Sequence, residues 1–310
     1  MPGLTLRHPI RTLDHQLLLP PGAVVTQETI DALIDFRRVD PYPSYSLLSY
    51  GSIKEDFLDF LSTPPYETIF LDKDRVDVLK LLETTHFPIP ILQSLDHFKQ
   101  HDFHTYSHIL MVFALSSLLA RDLLADDEQC VRLFATGPTH DIGKVCVPLS
   151  ILKKRTPLTQ AERNFLEHHA AASYVLLSYY YQDTQHLACR IALDHHERRD
   201  GSGYPRGLLL RDSLVEIVAV SDIYDALIKP RSYRSAPYDN RTALEEMTEM
   251  AKQNKIGWDV VKALIAHNRK SKPCFREVTL SAEKRGTPPS YNAYGIIADE
   301  TEPQKQAEEK

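Results

Sequence analysis

A chain of 310 residues with 43% apolar side chains can bury a substantial core, so it does not need disulfides as staples. Its four cysteines, at positions 130, 146, 189 and 274, show no CxxC pairing, which suits a reducing compartment and excludes a zinc ribbon. The formal charge of -6 argues against a protein that wraps duplex nucleic acid through phosphate contacts, and any anionic ligand is expected to be small.

Along the chain, Arg7, His8, Arg11 and Asp14 interrupt the first twenty residues and leave no apolar run for a secretory signal, so the protein is expected in the cytoplasm. Leu17-Leu18-Leu19 running into Pro20-Pro21-Gly22 and then Val24-Val25 reads as a strand, a tight turn and a second strand. Thr26 then caps a helix whose Ile30, Leu33 and Ile34 have helical spacing, with Glu28 in the first turn where a carboxylate favours the dipole. Pro41, Pro43, Pro64, Pro65, Pro88 and Pro90 punctuate the stretch beyond that helix, so short helices and a small α+β accessory domain over 1–95 are expected.

From about Phe103 the pattern changes to amphipathic helices, predicted at 104–125, 128–143, 159–181, 184–197, 212–229, 241–254 and 258–269. Val112, Leu115, Leu119 and Leu123 give the first of these one buried stripe. Its apolar run, Ile109 to Ala120, contains two serines and stops at Arg121-Asp122, short of the roughly 18 to 20 residues that cross a bilayer, so no membrane span is expected. Gly137-Pro138 predicts a kink just before His140, because proline removes an amide donor and clashes with the preceding turn. The expected fold class is mainly α, an all-α bundle over 96–280, followed by a polar and charged segment, 281–310, expected to be a flexible tail.

Histidines and carboxylates gather within these helices: His104 and His108, His140-Asp141, His168-His169, His195-His196, and Asp222. Singly, each is an ordinary histidine or carboxylate. Together they suggest metal, because imidazole nitrogen and carboxylate oxygen without thiolate are the ligands of iron, manganese and zinc, and a bridging carboxylate suits two ions.

The strings around them are long and ordered: Asp102-xx-Thr105-xx-His108, His140-Asp141-Ile-Gly-Lys144, Leu158-Thr159 leading to His169, His195-His196-Glu197 running into Gly203-Tyr204-Pro205, and Ser221-Asp222-Ile-Tyr-Asp225-Ala-Leu. Arg231-Ser-Tyr-Arg234 closes the series. In this order they resemble the HD-GYP family, a branch of the HD phosphohydrolase superfamily that cleaves the bacterial second messenger cyclic di-GMP, over about Asp102 to Arg241.

The resemblance implies an HD-type helical bundle whose metal ligands are His108, His140, Asp141, His169, His195, His196 and Asp222, with Asp141 bridging two ions, iron or manganese. It implies hydrolysis of cyclic di-GMP to pGpG, or on to GMP, through a metal-bridging hydroxide. Register with Leu158-Thr159 selects His169 over His168, which is read as a solvent-facing neighbour. His104 stands where some members carry a glutamate associated with a third metal, so two ions are expected. Arg199 and Ser221 replace an aromatic and an alanine, with consequences for substrate fit alone.

Around this centre, Lys144 is expected to contact a non-bridging phosphate oxygen, Tyr204 to stack on a guanine or reach a phosphate, and Arg231 and Arg234 to grip a second phosphate. Two rivals remain open: a mixed GMP-AMP ring as substrate, and a non-catalytic module that senses the nucleotide or binds a partner protein. Domain order suggests a regulatory or dimerising role for the N-terminal segment, with a signalling protein or a second copy of the chain as partner.

Overall fold

The computed structural model describes residues 3–37, 41–124, 126–134, 136–231, 236–281, 283–290 and 296–298; Arg234 lies outside them. Among these residues the fold is mainly α. Strands β1 (Leu4–Thr5), β2 (Ile10–Arg11), β3 (Leu17–Leu19), β4 (Val24–Val25), β5 (Ser44–Ser46) and β6 (His86–Pro88) form three antiparallel pairs, β1 with β4, β2 with β3 and β5 with β6. The two strands expected around Pro20-Pro21-Gly22 are thus present but do not pair with each other. Neither proline has an N–H for a ladder, so the turn is stitched to β1 instead, Gly22 N–H donating to Leu6 O at 2.8 Å.

Helix α1 (Gln27–Arg37) begins at Thr26, whose hydroxyl accepts from Thr29 N–H at 3.2 Å. Short helices α2 (Ile53–Leu61), α3 (Tyr66–Ile69) and α4 (Asp72–Thr84) lead to α5 (Ile89–His101). Asp102 then ends α5 and starts α6 (Phe103–Leu123), accepting from Thr105 N–H and from its hydroxyl at 3.4 and 2.7 Å. This explains the Asp102-xx-Thr105-xx-His108 spacing: the cap fixes the helix start, and His108 comes one and a half turns in.

The single apolar stripe expected on α6 is an underestimate. Every residue from Thr105 to Ala120 is buried, because helices close over all its sides. With 21 residues it is also long and apolar enough to cross a bilayer by composition, contrary to the shorter run read from the sequence; in this fold it is the core helix, and 89% of its 18-residue apolar stretch is buried.

Helix α7 (Asp127–Phe134) stops well before His140. The expected kink is a full termination: Gly137 takes φ +58, and a Cβ there would lie 2.2 Å from the Phe87 ring, so the chain turns under β6 and delivers Thr139-His140-Asp141 as a turn into a 3-10 segment, Ile142–Cys146.

After α8 (Leu149–Leu152), the predicted 159–181 helix is two, α9 (Gln160–Glu167) and α10 (His169–Tyr181), meeting at His168. His168 is buried rather than solvent-facing, because the break turns its ring against His8, which stacks on Phe165. Helices α11 (Leu187–Asp194), α12 (Ser213–Ile228), α13 (Asn240–Lys252) and α14 (Trp258–Asn268) complete the bundle.

One hydrophobic cluster runs from Leu6 to Val278 and joins the 1–95 and 96–280 segments. Phe57 and Leu61 of α2, and Ile69 and Phe70 at the end of α3, are fully buried in it, at roughly 1.5 to 3 kcal/mol per side chain. Past Val278, Gly286 N–H donates to Glu245 at 2.8 Å and Ala298 N–H to Leu158 O at 2.9 Å.

Candidate metal centre

Three breaks in the bundle converge: the turn after α7, the α9–α10 junction and the C-terminal end of α11. With α6 and α12 they bring His108, His140, Asp141, His169, His195, His196 and Asp222 together. The side chains of His108, His140, Asp141, His169 and His195 are nearly inaccessible, whereas those of His196 and Asp222 keep 17% and 10% exposure and form the mouth of the cluster.

The seven divide into two groups, Asp141 with His169, His195 and His196, and His108 with His140 and Asp222, each with its ligand atoms within 4.8 Å of one another. Asp141 faces both. Its Oδ1 lies 3.2 Å from His169 Nε2 and 3.8 Å from His195 Nε2, while Oδ2 lies 3.6 Å from His108 Nε2 and 3.4 Å from His140 Nε2. Asp222 spans the groups as well, with Oδ1 at 2.9 Å from His108 Nε2 and Oδ2 at 3.8 Å from His196 Nδ1.

Tautomers are set by the partners. His169 Nδ1 sits 2.6 Å from Leu166 O and His195 Nδ1 sits 2.9 Å from Ala192 O; a carbonyl only accepts, so both rings carry the proton on Nδ1 and aim an Nε2 lone pair inward. His108 Nδ1–H donates to Asp225 Oδ2 at 2.5 Å, with the same result. The buried Nε2 atoms of His140 and His195 have no hydrogen-bond partner, and His196 Nε2 faces the lone pair of His169 Nε2 at 3.1 Å. Orphaned buried nitrogens converging on carboxylate oxygens are what a divalent cation would satisfy, so the donor set fits metal.

Burial keeps the imidazoles neutral, as ligation requires: His169 falls to about 4 and His195 to about 3, in each case chiefly by desolvation, and His196 is pushed well below the usual value for the same reason. Burial works against an ionised Asp141, yet Lys144 and His140 overcome it and hold the carboxyl well below the usual range. For Asp222 the facing imidazoles of His108, His196 and His195 outweigh burial in the same way.

Lys144 Nζ lies 2.5 Å from Asp141 Oδ2. Gly143 makes its close approach to helix α10: its N–H donates to Ser173 Oγ at 2.7 Å, and a Cβ would fall 2.2 Å from His169 O. Tyr204 stacks on His196, ring centroids 4.4 Å apart, and so borders the mouth. Its loop is pinned by Glu197, whose carboxylate accepts from Arg206 N–H and Leu208 N–H at 2.8 and 2.9 Å. Arg231 Nη2 lies 3.1 Å from His108 Nδ1, behind the ligand rather than beside the mouth. Arg199 forms a fork with Glu216 at 2.5 and 2.6 Å, away from the seven. His104 is exposed.

Sequence reasoning gave no role to Asp225. Fully buried on α12, it holds the His108 ring, and its carboxyl is driven below the usual range against burial by Lys229 and by the His108 hydrogen bond. Its position three residues after Asp222, one turn along the same helix, was the available signal.

A family model described as an HD domain matches residues 89–260, more than half of the chain, and the chain belongs to that family. The resemblance read from the motifs is thereby borne out. A cyclic di-GMP phosphodiesterase of Thermotoga maritima is 36% identical over 160 residues, covering 51% of this chain and 42% of that protein. A cyclic di-GMP phosphodiesterase response regulator of Xanthomonas campestris is 40% identical over 124 residues, 39% of this chain and 33% of its own. A 3'3'-cGAMP-specific phosphodiesterase of Vibrio cholerae is 37% identical over 134 residues, 43% of this chain and 31% of its own. The chain thus spans about a third to two-fifths of the length of these relatives.

Proposed function

We propose that this protein is a metal-dependent phosphodiesterase that hydrolyses cyclic di-GMP to pGpG. The observation that carries the reading is the division of Asp141 between two groups of inward-facing imidazole lone pairs, one carboxylate oxygen to each. In this reading His169, His195 and His196 would hold one ion and His108, His140 and Asp222 the other, with Asp141 offering an oxygen to each group; iron or manganese suits the N/O donor set. When bound, the ions supply charge neutralisation of the phosphodiester and bring a water's pKa towards neutrality.

The remaining work falls to side chains. The Lys144 ammonium, already drawn to Asp141, contacts a non-bridging oxygen and stabilises charge that grows as the P–O3' bond breaks and water's oxygen joins phosphorus. Tyr204, held on His196, offers an aromatic face for a guanine, and Arg234 supplies a cationic contact for the second phosphate, whereas Arg231, behind His108, does not reach the mouth. Residues 96–280 form the catalytic unit and 1–95 an accessory layer; every one of the seven side chains lies at or beyond His108. Four unpaired cysteines, two of them buried, support a cytoplasmic location, and the accessory layer is the surface for a signalling partner or a second copy.

The similarity to a 3'3'-cGAMP-specific enzyme favours a second reading, the mixed ring as substrate. Elemental analysis of protein loaded anaerobically with Fe(II) or Mn(II), followed by turnover of both rings side by side, tests these. Two ions per chain and release of pGpG are expected. A protein that loads two ions and binds the ring without cleaving it is a sensor, and fewer than two ions removes the binuclear reading.

A further inference from the structure

We propose that Tyr66, which precedes the helices of the HD bundle, is a positioning residue for the metal centre: its hydroxyl orients Asp225, and Asp225 orients the His108 ring. The inference rests on the binuclear metal reading and deepens it.

Tyr66, Asp225 and His108 are 3%, 0% and 1% exposed, so no water competes for these contacts. The Tyr66 hydroxyl donates to Asp225 Oδ1, which also accepts from Lys229 Nζ at 3.1 Å. Asp225 Oδ2 accepts from His108 Nδ1–H at 2.5 Å. Two donors on one oxygen fix the carboxylate plane, and the fixed plane keeps the other oxygen on Nδ1. Nε2 of His108 is then directed at Asp222 and Asp141, 2.9 and 3.6 Å away.

The same layer also sets the second donor. Lys229 Nζ lies 5.7 Å from the centroid of the Phe60 ring and 5.6 Å from that of Tyr66, so aromatic faces from α2 and α3 enclose the ammonium that pairs with Asp225. Burial, reinforced by the Asp225 charge, raises the Tyr66 phenol well above its ordinary value, and it remains a donor. Tyr66 lies outside the 89–260 segment that matches the HD family, so this support is contributed by the accessory layer of this chain.

Outer-shell partners of metal-binding histidines typically control affinity by 10- to 100-fold. The test is full-length Tyr66→Phe, which deletes one oxygen and keeps the ring, compared with wild type and with Asp225→Asn by Mn(II) titration against a competing chelator. Metal-free Tm serves as the folding control. Wild type binding two ions, with Tyr66→Phe weakening one of them roughly 10-fold or more and sparing the other, is expected. In the Asp225→Asn background, Tyr66→Phe should add nothing, because it acts through that carboxylate.

Unchanged affinities in Tyr66→Phe, equal weakening of both ions, or additive losses in the double variant would overturn the proposal. A variant that does not fold even in the cold would also overturn it, because Tyr66 would then serve the core. Fewer than two ions in wild type would instead defeat the metal reading, before any variant is compared.

Discussion

His169 and His195 give their Nδ1–H to carbonyls three residues back, Leu166 and Ala192, while His108 gives its own to Asp225, 117 residues away in sequence. One half of the cluster is therefore built from helix ends that carry their own support. The other half stands on a side chain whose remaining contacts, Tyr66 and Lys229, come from α3 and the end of α12. Backbone acceptors cannot be removed by substitution, and each lies only three residues from the ring it holds. A carboxylate support can be removed, or reached by anything that moves the accessory layer. The two metal positions should therefore differ in how they respond to change at a distance, the His108 side being the adjustable one.

Asp141 is the residue at which this difference must vanish, because one of its oxygens serves each half. Asp141→Ala is expected to lose both ions and to bring cyclic di-GMP turnover to background, the largest effect in the molecule. Elemental analysis paired with product chromatography checks it. Retention of one ion would show that the halves are separate sites and that the carboxylate is not shared.

The parts of this contrast legible in the sequence are the local ones. Periodicity placed α6, α12 and α14 within one or two residues, and ordered motifs named the seven side chains that meet. The α9–α10 break left no mark, since Glu167-His168-His169 contains neither glycine nor proline; it is tertiary packing of His168 on His8 that turns the chain. Gly137-Pro138 was visible but read as a kink, because the Phe87 ring that forbids a side chain at Gly137 lies 50 residues upstream in sequence. The Tyr66–Asp225 contact spans 159 residues and belongs to no motif, so only the folded chain reveals it.

A smaller effect is expected at Lys144, and it sharpens the role of the shared carboxylate. If Nζ, 2.5 Å from Asp141 Oδ2, acts on the substrate, Lys144→Ala should keep both ions and lower kcat by roughly 100- to 1,000-fold, the usual loss for one oxyanion-type contact. Steady-state kinetics on metal-loaded protein decide this. A variant that sheds an ion would make Lys144 the counter-charge that keeps Asp141 in place, and a kinetically silent one would remove Lys144 from the chemical step.

The smallest effect tests the self-supported half. Helix α9, which carries Leu166 and so the acceptor for His169, starts with a reciprocal cap: Thr159 Oγ1 accepts from Glu162 N–H at 3.2 Å, and Glu162 accepts from Thr159 N–H at 2.8 Å. Lys154 adds an ion pair to the same carboxylate at 2.5 Å. Thr159→Ala removes one of these bonds and should cost about 1 kcal/mol of stability, the ordinary worth of an N-cap. His169 and Leu166 lie beyond that first turn, three residues apart, and the contact between them does not use the cap. Metal stoichiometry and affinity should then be those of wild type while the Tm falls slightly, as calorimetry with parallel Mn(II) titration would read. Weaker metal binding in this variant would mean that fraying of α9 propagates to His169, and that the backbone-held half is as sensitive to distant change as the half held by Asp225.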